Sequence, residues 1–263
     1  MLTRHAITRK ADAENVDALV VERDYVLAHI VAQLHRAITN EGGRLAFKGG
    51  TALRLVHVGD EYRYSADLDF TIVGGRKEAA IAAIAEVLHS AKEHVGLPHL
   101  QLTEGNATAV AYIGPLGSAR PRSIKLDLAT DEYVETIAKG SVLDVWPDLP
   151  EAAPFDVYPL TEIGAGKLRC LIQRVQCRDL YDLYRLTDDM GVSVADIRGL
   201  FERKAEAKNI DPSQLRSRFE DRVGRYRQQW ATEMPEHVPD PPRFDDVIRV
   251  VRRHLRRAGL LDT

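Results

Sequence analysis

The chain has 263 residues, of which 44% are hydrophobic and 29% are charged, and its formal net charge is −3. These values are ordinary for a globular protein with a substantial core, and the small net charge gives no global signature of nucleic-acid binding. No apolar run is long enough to span a membrane and the N-terminus lacks the apolar segment of a signal peptide, so we expect a cytoplasmic protein with no membrane partner.

The first predicted element is a long amphipathic helix over residues 13–40, because its apolar residues recur at a spacing of about 3.6. Residues 41–43, Glu-Gly-Gly, would end this helix. A short strand over residues 44–47 then leads into the stretch that carries the clearest chemical pattern.

That stretch contains Lys48, the turn Gly49-Gly50-Thr51 and, after a short helix-like segment, an Asp-x-Asp alternation. Glycine lets the backbone approach an anion closely, since it has no Cβ. If Thr51 caps a short helix, the free N–H groups of that helix would face phosphates. On a strand, Asp67 and Asp69 would project to the same side, and paired carboxylates are ligands that Mg²⁺ prefers. The order of these parts is typical of a nucleotidyltransferase site.

Two polar residues lie just before this alternation. Arg63 and Ser65 would share a strand face with Asp67 if the strand extends back that far. Arg63 is then a candidate phosphate ligand, and Ser65 is a nucleotide-site residue and, by hypothesis, a control point. A phosphate on Ser65 would add about two negative charges beside the carboxylates.

A helix is predicted over residues 77–94, and strands over residues 99–104, 107–113 and 122–129. In the last strand the leucines alternate with polar residues, which puts Lys125 and Asp127 on one face. Asp127 is therefore the candidate for a third metal-binding carboxylate. The alternative is a solvent-facing Asp127 paired with Lys125.

Residues 131–160 contain four prolines and are predicted to be an irregular linker. It divides a catalytic α/β domain, residues 1–150, from a helical domain, residues 151–263, that would complete the active site. Helices in that second domain are predicted over residues 160–174, 177–189, 193–208, 212–230 and 243–258.

The segments KGGTAL, RYSADLDF and TEIGAGKLRCLIQRVQCRDLYDLYRL resemble the AbiEii/AbiGii family of nucleotidyltransferase toxins, which includes the mycobacterial MenT toxins. The resemblance covers roughly residues 10–190, with three motifs in the expected order. It implies an α+β fold of the DNA polymerase β type, a mixed sheet with flanking helices followed by a helical C-terminal region.

The resemblance also implies a function. We expect the toxin of a bacterial toxin–antitoxin pair, blocked by a cognate antitoxin, that transfers a nucleotide from a nucleoside triphosphate to an acceptor, with the tRNA 3′ end as the main candidate. The implied cofactor is Mg²⁺, as two ions, with Mn²⁺ as an alternative; Asp67, Asp69 and Asp127 would be the ligands.

Three residues of the helical half match the family pattern. Lys167 would add positive charge near the triphosphate, although glycines at 164 and 166 weaken the predicted helix around it. Asp179 and Asp182 match an RDxxD-type motif. The resemblance implies that Lys167 and Asp182 are catalytic residues and that Asp179 belongs to the nucleotide-binding residues. One of the two aspartates would contact the active site while the other pairs with an arginine, and the sequence leaves open which does which.

Two arginine-rich helical segments end the chain, with five arginines over residues 216–227 and five more over residues 249–257. They predict either an RNA-binding face, a surface for an acidic antitoxin or a solvated helix face. Two further functions stay open: a small-molecule nucleotidyltransferase of the antibiotic-modifying type, and a kinase-like or non-catalytic nucleotide-binding toxin.

Overall fold

A computed structural model describes residues 1–37, 43–105 and 107–261, which form two compact units. The first unit consists of Met1–Thr130 and Ile137–Val157, and the second of Asp131–Thr136 and Tyr158–Thr263. The predicted domain boundary at residue 150 stays a prediction. Within the described ranges, no helix is both long and apolar enough to cross a membrane.

The first unit is built on a mixed sheet of seven strands in the order β3-β4-β5-β2-β1-β7-β6. The pairs β2–β5 and β1–β7 are parallel, and the other neighbouring pairs are antiparallel. The predicted α+β class with a mixed sheet and flanking helices is therefore confirmed. The strands are β1 Arg44–Lys48, β2 Leu68–Val73, β3 His99–Glu104, β4 Thr108–Ile113, β5 Arg122–Ala129, β6 Ala138–Gly140 and β7 Phe155–Val157.

The predicted single helix over residues 13–40 is wrong. The chain instead forms α1 Arg4–Glu14 and α2 Ala18–Val31, separated at Asn15, whose φ of 52° ends α1. The Asp17 carboxylate then accepts the Leu19 N–H and begins α2. Nearly all of α2 after its first turn is buried, so its apolar residues mark a core helix rather than one amphipathic face. A short 3₁₀ turn follows at Leu34–Arg36, and residues 38–42 lie outside the described residues.

The middle of the first unit agrees closely with the predicted elements. Helix α4 spans Lys77–Val95, and strands β3, β4 and β5 lie within a residue or two of their predicted bounds. The irregular stretch over residues 131–160 is the exception, because it contributes β6 and β7 to the sheet. Each of these strands is only three residues long, which is too short for a period-two pattern to be recognised.

The second unit is helical, and its five predicted helices are confirmed. They are α5 Leu160–Gln173, α6 Cys177–Asp188, α7 Val194–Glu206, α8 Leu215–Glu233 and α9 Phe244–Arg257. The expected weakening of α5 by its glycines is wrong, since the helix is continuous. A Cβ at Gly164 would lie 3.0 Å from Ile197 Cδ1, so this glycine allows α7 to pack closely on α5.

A buried ion pair connects α2 to the segment that follows the glycine turn. Helix α3, Gly49–Ala52, continues into a wider helical turn over Leu53–Val58 that carries Arg54. Arg54 Nε and Nη2 donate to the Asp24 carboxylate at 2.5 and 3.0 Å, and both side chains are only 1% exposed. Arg54 Nη1 also donates to the Tyr62 carbonyl at 2.5 Å, and Trp146 Nε1 donates to Asp24 Oδ2 at 3.2 Å. Arg54 thereby links α2, which precedes the glycine turn in the chain, to the loop around Tyr62, which follows it.

We expect Arg54→Met to lower the free energy of unfolding of the first unit by about 3–5 kcal/mol, because the Asp24 carboxylate would be left buried without its cation. The matched control is Arg44→Met, whose partner Asp156 is 2.8 Å away but whose side chain is 49% exposed. That change should cost less than about 1 kcal/mol.

The measurement is urea unfolding followed by tryptophan fluorescence in a Trp230→Phe background. The chain has two tryptophans, so the remaining signal comes from Trp146 in the first unit. Equal losses for Arg54→Met and Arg44→Met would contradict a stabilising role for the buried pair.

Candidate active site

Both glycines of the turn are in contact with the segment that precedes β2. Gly49 has a φ of 81°, and a Cβ there would lie 2.5 Å from Asp69 Oδ2. A Cβ at Gly50 would overlap the Arg63 guanidinium. A side chain at Gly49 or at Gly50 would force Asp69 or Arg63 to move, and the structure brings together the two motifs that the sequence placed 16 residues apart.

Thr51 makes the third contact of this kind, although the expectation that it caps the helix is wrong. Its predicted nucleotide-binding role stays a prediction. The helix begins at Gly49 with Lys48 as its N-cap, so Thr51 is the third helical residue rather than the cap. Its hydroxyl lies 2.8 Å from Ser65 Oγ and 2.5 Å from the Asp67 carbonyl oxygen. Ser65 is buried, so its hydroxyl holds the turn; a regulatory phosphate there stays a hypothesis.

The segment with Arg63 and Ser65 is not part of a strand. Strand β2 begins at Leu68, so the expectation that both residues share a strand face with Asp67 is wrong. Arg63 is 3% exposed and donates to the Tyr64 carbonyl at 3.1 Å. Its guanidinium lies against Gly50 and brings a positive charge beneath the turn.

Three charged residues lie in one row across the centre of the sheet. Lys48 of β1 is in register with Asp69 of β2, which is in register with Asp127 of β5. Residues in register on neighbouring strands project to the same face, so a lysine and two carboxylates share one side of the sheet. Asp67 immediately precedes β2, and Asp67 and Asp69 are half-buried whereas Asp127 is exposed.

The alternative assignment for Asp127, an ion pair with Lys125, does not occur. Neither residue makes an ion pair with any other residue in the described part of the chain. Asp127 is consequently an exposed carboxylate opposite Asp69.

The three carboxylates fit a hard divalent cation by their chemistry, because carboxylate oxygens are the ligands of Mg²⁺ and Mn²⁺. Gly49 also leaves room beside Asp69 Oδ2 that a Cβ would fill. In the described residues, however, no three His, Cys, Asp or Glu side chains are already gathered around one position that could hold a metal ion. Metal binding at this row would therefore require movement of these side chains.

The second unit contains a buried cluster around Lys167. Its ammonium lies 2.8 Å from Asp179 Oδ1 and 2.5 Å from Asp182 Oδ2. Asp179 also accepts from Arg174 Nε at 2.7 Å, so Asp179 is the aspartate that pairs with an arginine. Burial alone would raise the pKa of Asp179, but Lys167 and Arg174 outweigh it and hold this pKa below its usual value. Lys167 is thus neutralised within its own unit.

Most arginines of the two C-terminal helices already have partners inside the second unit. Arg222 Nη1 donates to the carbonyls of Leu171 and Ile172 at the end of α5, which is a helix-capping role. Four others form ion pairs: Arg227 with Asp245, Arg249 with Asp246, Arg252 with Glu220 and Arg253 with Asp188. Arg218 Nε also donates to Gln214 Oε1 at 3.3 Å, so four exposed arginines of the predicted basic faces remain without a partner among the described residues: Arg216, Arg225, Arg256 and Arg257.

Sequence reasoning missed Arg54 and Arg174. Arg174 holds Asp179 from the loop after α5, and Arg54 fixes the segments on either side of the glycine turn. The signal for Arg54 was Asp24, the last residue of the charged run Glu22-Arg23-Asp24 within a helix whose other residues are mostly apolar. A buried acid of this kind needs a buried cation as partner.

Comparison with known proteins identifies one family, and several solved structures are similar to the chain. The model of the family described as "Nucleotidyl transferase AbiEii toxin, Type IV TA system" matches residues 34–250. MenT4, a nucleotidyltransferase toxin from Mycobacterium tuberculosis H37Rv, is 20% identical, with a TM-score of 0.56 over 100% of this chain and 91% of that one. An antigenic nucleotidyltransferase-like protein from Paracoccidioides brasiliensis is 13% identical, with a TM-score of 0.39 over 70% and 93%. No curated protein matches.

We expect Gly49→Ala to abolish nucleoside triphosphate binding, because the new methyl group would meet the Asp69 carboxylate. The matched control is Gly74→Ala. Gly74 also has a positive φ, 70°, but open space around its Cβ position. Both changes carry a backbone strain of about 1–2 kcal/mol, and only Gly49→Ala adds the clash. Titration of a fluorescent nucleotide analogue measures the difference, and equal binding by the two variants would contradict the predicted contact.

The stability of the second unit should fall in acid because of Asp179. Its pKa in the folded protein is below the unfolded value, so its contribution is fully present above the unfolded pKa of about 3.9 and is lost as pH falls through the folded pKa. We expect Asp179→Asn to lose about 3–5 kcal/mol near neutral pH and to show a flatter pH dependence below pH 4. Unfolding followed by Trp230 fluorescence in a Trp146→Phe background between pH 2 and 7 tests this, and parallel pH profiles would contradict it.

Proposed function

Since this chain belongs to the nucleotidyl transferase AbiEii toxin family of type IV toxin–antitoxin systems, we propose that it transfers a nucleoside monophosphate from a nucleoside triphosphate to the 3′ end of an RNA, with tRNA as the first candidate. The family also implies a cognate antitoxin. Modification of tRNA 3′ ends would stop translation, which accounts for toxicity.

The observation that carries the proposal is the contact between the glycine turn and the carboxylate segment. Gly49, Gly50 and Thr51 touch Asp69, Arg63 and the Ser65–Asp67 segment respectively. A phosphate-binding turn and a pair of carboxylates are thereby held as one unit, which is the requirement for acting on a triphosphate. Lys48 and Asp127 extend the same row on the neighbouring strands.

The residues divide into two roles in this proposal. The backbone of Gly49, Gly50 and Thr51 would bind the β- and γ-phosphates, and Lys48 and Arg63 would offset their charge. Asp67, Asp69 and Asp127 would hold Mg²⁺, or Mn²⁺ in its place. Bound there, the two proposed ions would polarise the α-phosphate and lower the pKa of the acceptor hydroxyl.

The proposed step is an in-line displacement at the α-phosphorus. The acceptor hydroxyl oxygen forms a bond to the α-phosphorus, the bond between that phosphorus and the α–β bridging oxygen breaks, and pyrophosphate leaves. The proton of the hydroxyl passes to the exposed Asp127 carboxylate and from there to solvent. The product is an RNA that is longer by one nucleotide.

The predicted catalytic roles of Lys167 and Asp182 and the nucleotide-binding role of Asp179 stay predictions. Within the second unit their charges are offset, because the Lys167 ammonium lies between the two carboxylates and Arg174 also pairs with Asp179. In that arrangement Lys167 has no charge to spare for a triphosphate, so such a role would require the cluster to open.

The test is incubation of the purified protein with total tRNA, Mg²⁺ and each nucleoside triphosphate in turn, labelled at the α-phosphate. We expect one nucleotide to label tRNA, and the label to fall to background with Asp69→Asn, with Asp127→Asn or with EDTA. Lys139→Ala, an exposed lysine of β6, is the control and should act like the unchanged protein.

Two outcomes would contradict the proposal. In the same assay with nucleoside triphosphates labelled at the γ-phosphate, transfer of that label to the acceptor would establish a kinase-like reaction. Label found on an aminoglycoside but on no RNA would establish a small-molecule nucleotidyltransferase.

A further inference from the structure

One face of the sheet next to Asp127 is open to solvent. It is formed by the outer strands β3, β4 and β5, whose side chains alternate between two faces. With the pair His99 and Ile113 at its end, the register places mostly small or polar residues on this face: Gln101, Thr103, Ala109, Ala111, Ser123 and Lys125. All of them are exposed or half-exposed.

The opposite face of the same strands is the packed one. It carries Leu100 of β3, Val110 and Tyr112 of β4, and Ile124 and Leu126 of β5, all of which are at most 4% exposed. The side chains of the two faces therefore differ sharply in their exposure to solvent. Since the open face has two alanines and a serine at its centre, it is flat enough for a chain to lie along it.

The charge of the open face is distinctive. Apart from Asp127, the described strands β3, β4 and β5 place no carboxylate on it, because the acid Glu104 alternates to the other side. Lys125 is exposed and makes no ion pair within the described residues. The ammonium thus lies on the open face with no described carboxylate paired to it.

Lys125 and Asp127 are two residues apart on β5, which separates them by about 6.6 Å along the strand. Asp127 is the residue proposed to accept the proton of the acceptor hydroxyl. Lys125 therefore puts a positive charge on the same flat face, close to where the acceptor hydroxyl would bind. This charge suits an acceptor with an anionic group next to that hydroxyl, and it disfavours a polycationic acceptor such as an aminoglycoside.

We propose that this open face seats the single-stranded 3′ end of an RNA acceptor, and that Lys125 binds the phosphodiester next to its terminal nucleotide. This inference rests on the proposed RNA-directed nucleotidyl transfer and adds the position of the acceptor. Lysine binds phosphate as a compact charge, and Ser123 and Gln101 add hydrogen-bond donors along the same face. Contacts to the backbone give affinity without base specificity.

The test compares Lys125→Glu with Lys92→Glu. Both variants make the same change of charge, but Lys92 is an exposed residue of α4, outside the open face. The probe is a 5′-fluorescent single-stranded RNA oligonucleotide, whose binding is titrated at several salt concentrations without nucleotide. We expect Lys125→Glu to weaken RNA binding several-fold, and Lys125→Ala to flatten the dependence of log K on log salt by about 0.7. Lys92→Glu should leave both unchanged.

The kinetic arm uses tRNA and the α-labelled nucleotide. We expect Lys125→Glu to raise the KM for RNA and to leave the KM for the nucleoside triphosphate unchanged, which a folding defect would not produce. If the unchanged protein labels RNA but Lys125→Glu and Lys92→Glu have the same KM for RNA, this inference is overturned while the proposed function stands. Loss of antitoxin neutralisation at an unchanged RNA KM would overturn the inference too and would mark the face as a protein interface. If the unchanged protein labels no RNA at all, the proposed function itself has failed.

Discussion

The interaction on which the candidate site depends is the buried pair between Asp24 and Arg54. Arg54 is almost completely removed from water, where an uncompensated charge is very costly, so its guanidinium is fixed by its acceptors. These acceptors belong to α2 and to the loop before β2, whereas Arg54 itself belongs to the helical segment after the glycine turn. One side chain therefore determines where the turn and the carboxylate segment lie relative to the sheet.

The sequence predicted the parts of this site better than their connections. The glycine turn, Asp67 and Asp69 were recognised because their chemistry lies in short contiguous motifs. The contacts of Arg63 with Gly50 and of Thr51 with Ser65 were not, because they join residues 13 and 14 positions apart through a loop without periodicity. The same limit explains α1 and α2: a left-handed Asn15 interrupts a run of apolar residues whose spacing alone looks continuous.

In the helical unit the residue types predict the helices but not the contacts of the charged side chains on them. The five helices were predicted because their apolar stripes extend over three or more turns. The arginines on them could not be assigned, since a guanidinium that caps α5, as Arg222 does, has the same sequence signature as one that faces RNA. Lys167 is similar: its presence was predictable, but the two carboxylates that surround it depend on the packing of α5 against α6.

The pairing of the turn with the segment before β2 also bears on how easily a cell could escape from this protein. Three consecutive turn residues each contact a different partner, so a small change on either side of any contact disturbs the same turn. At the two glycines even the smallest substitution, a methyl group, would force a charged neighbour to move. Cells that express the toxin without its antitoxin and survive should therefore carry missense changes concentrated in residues 49–51 and 63–69. These segments contain many more positions at which a substitution would inactivate the protein than the carboxylates alone.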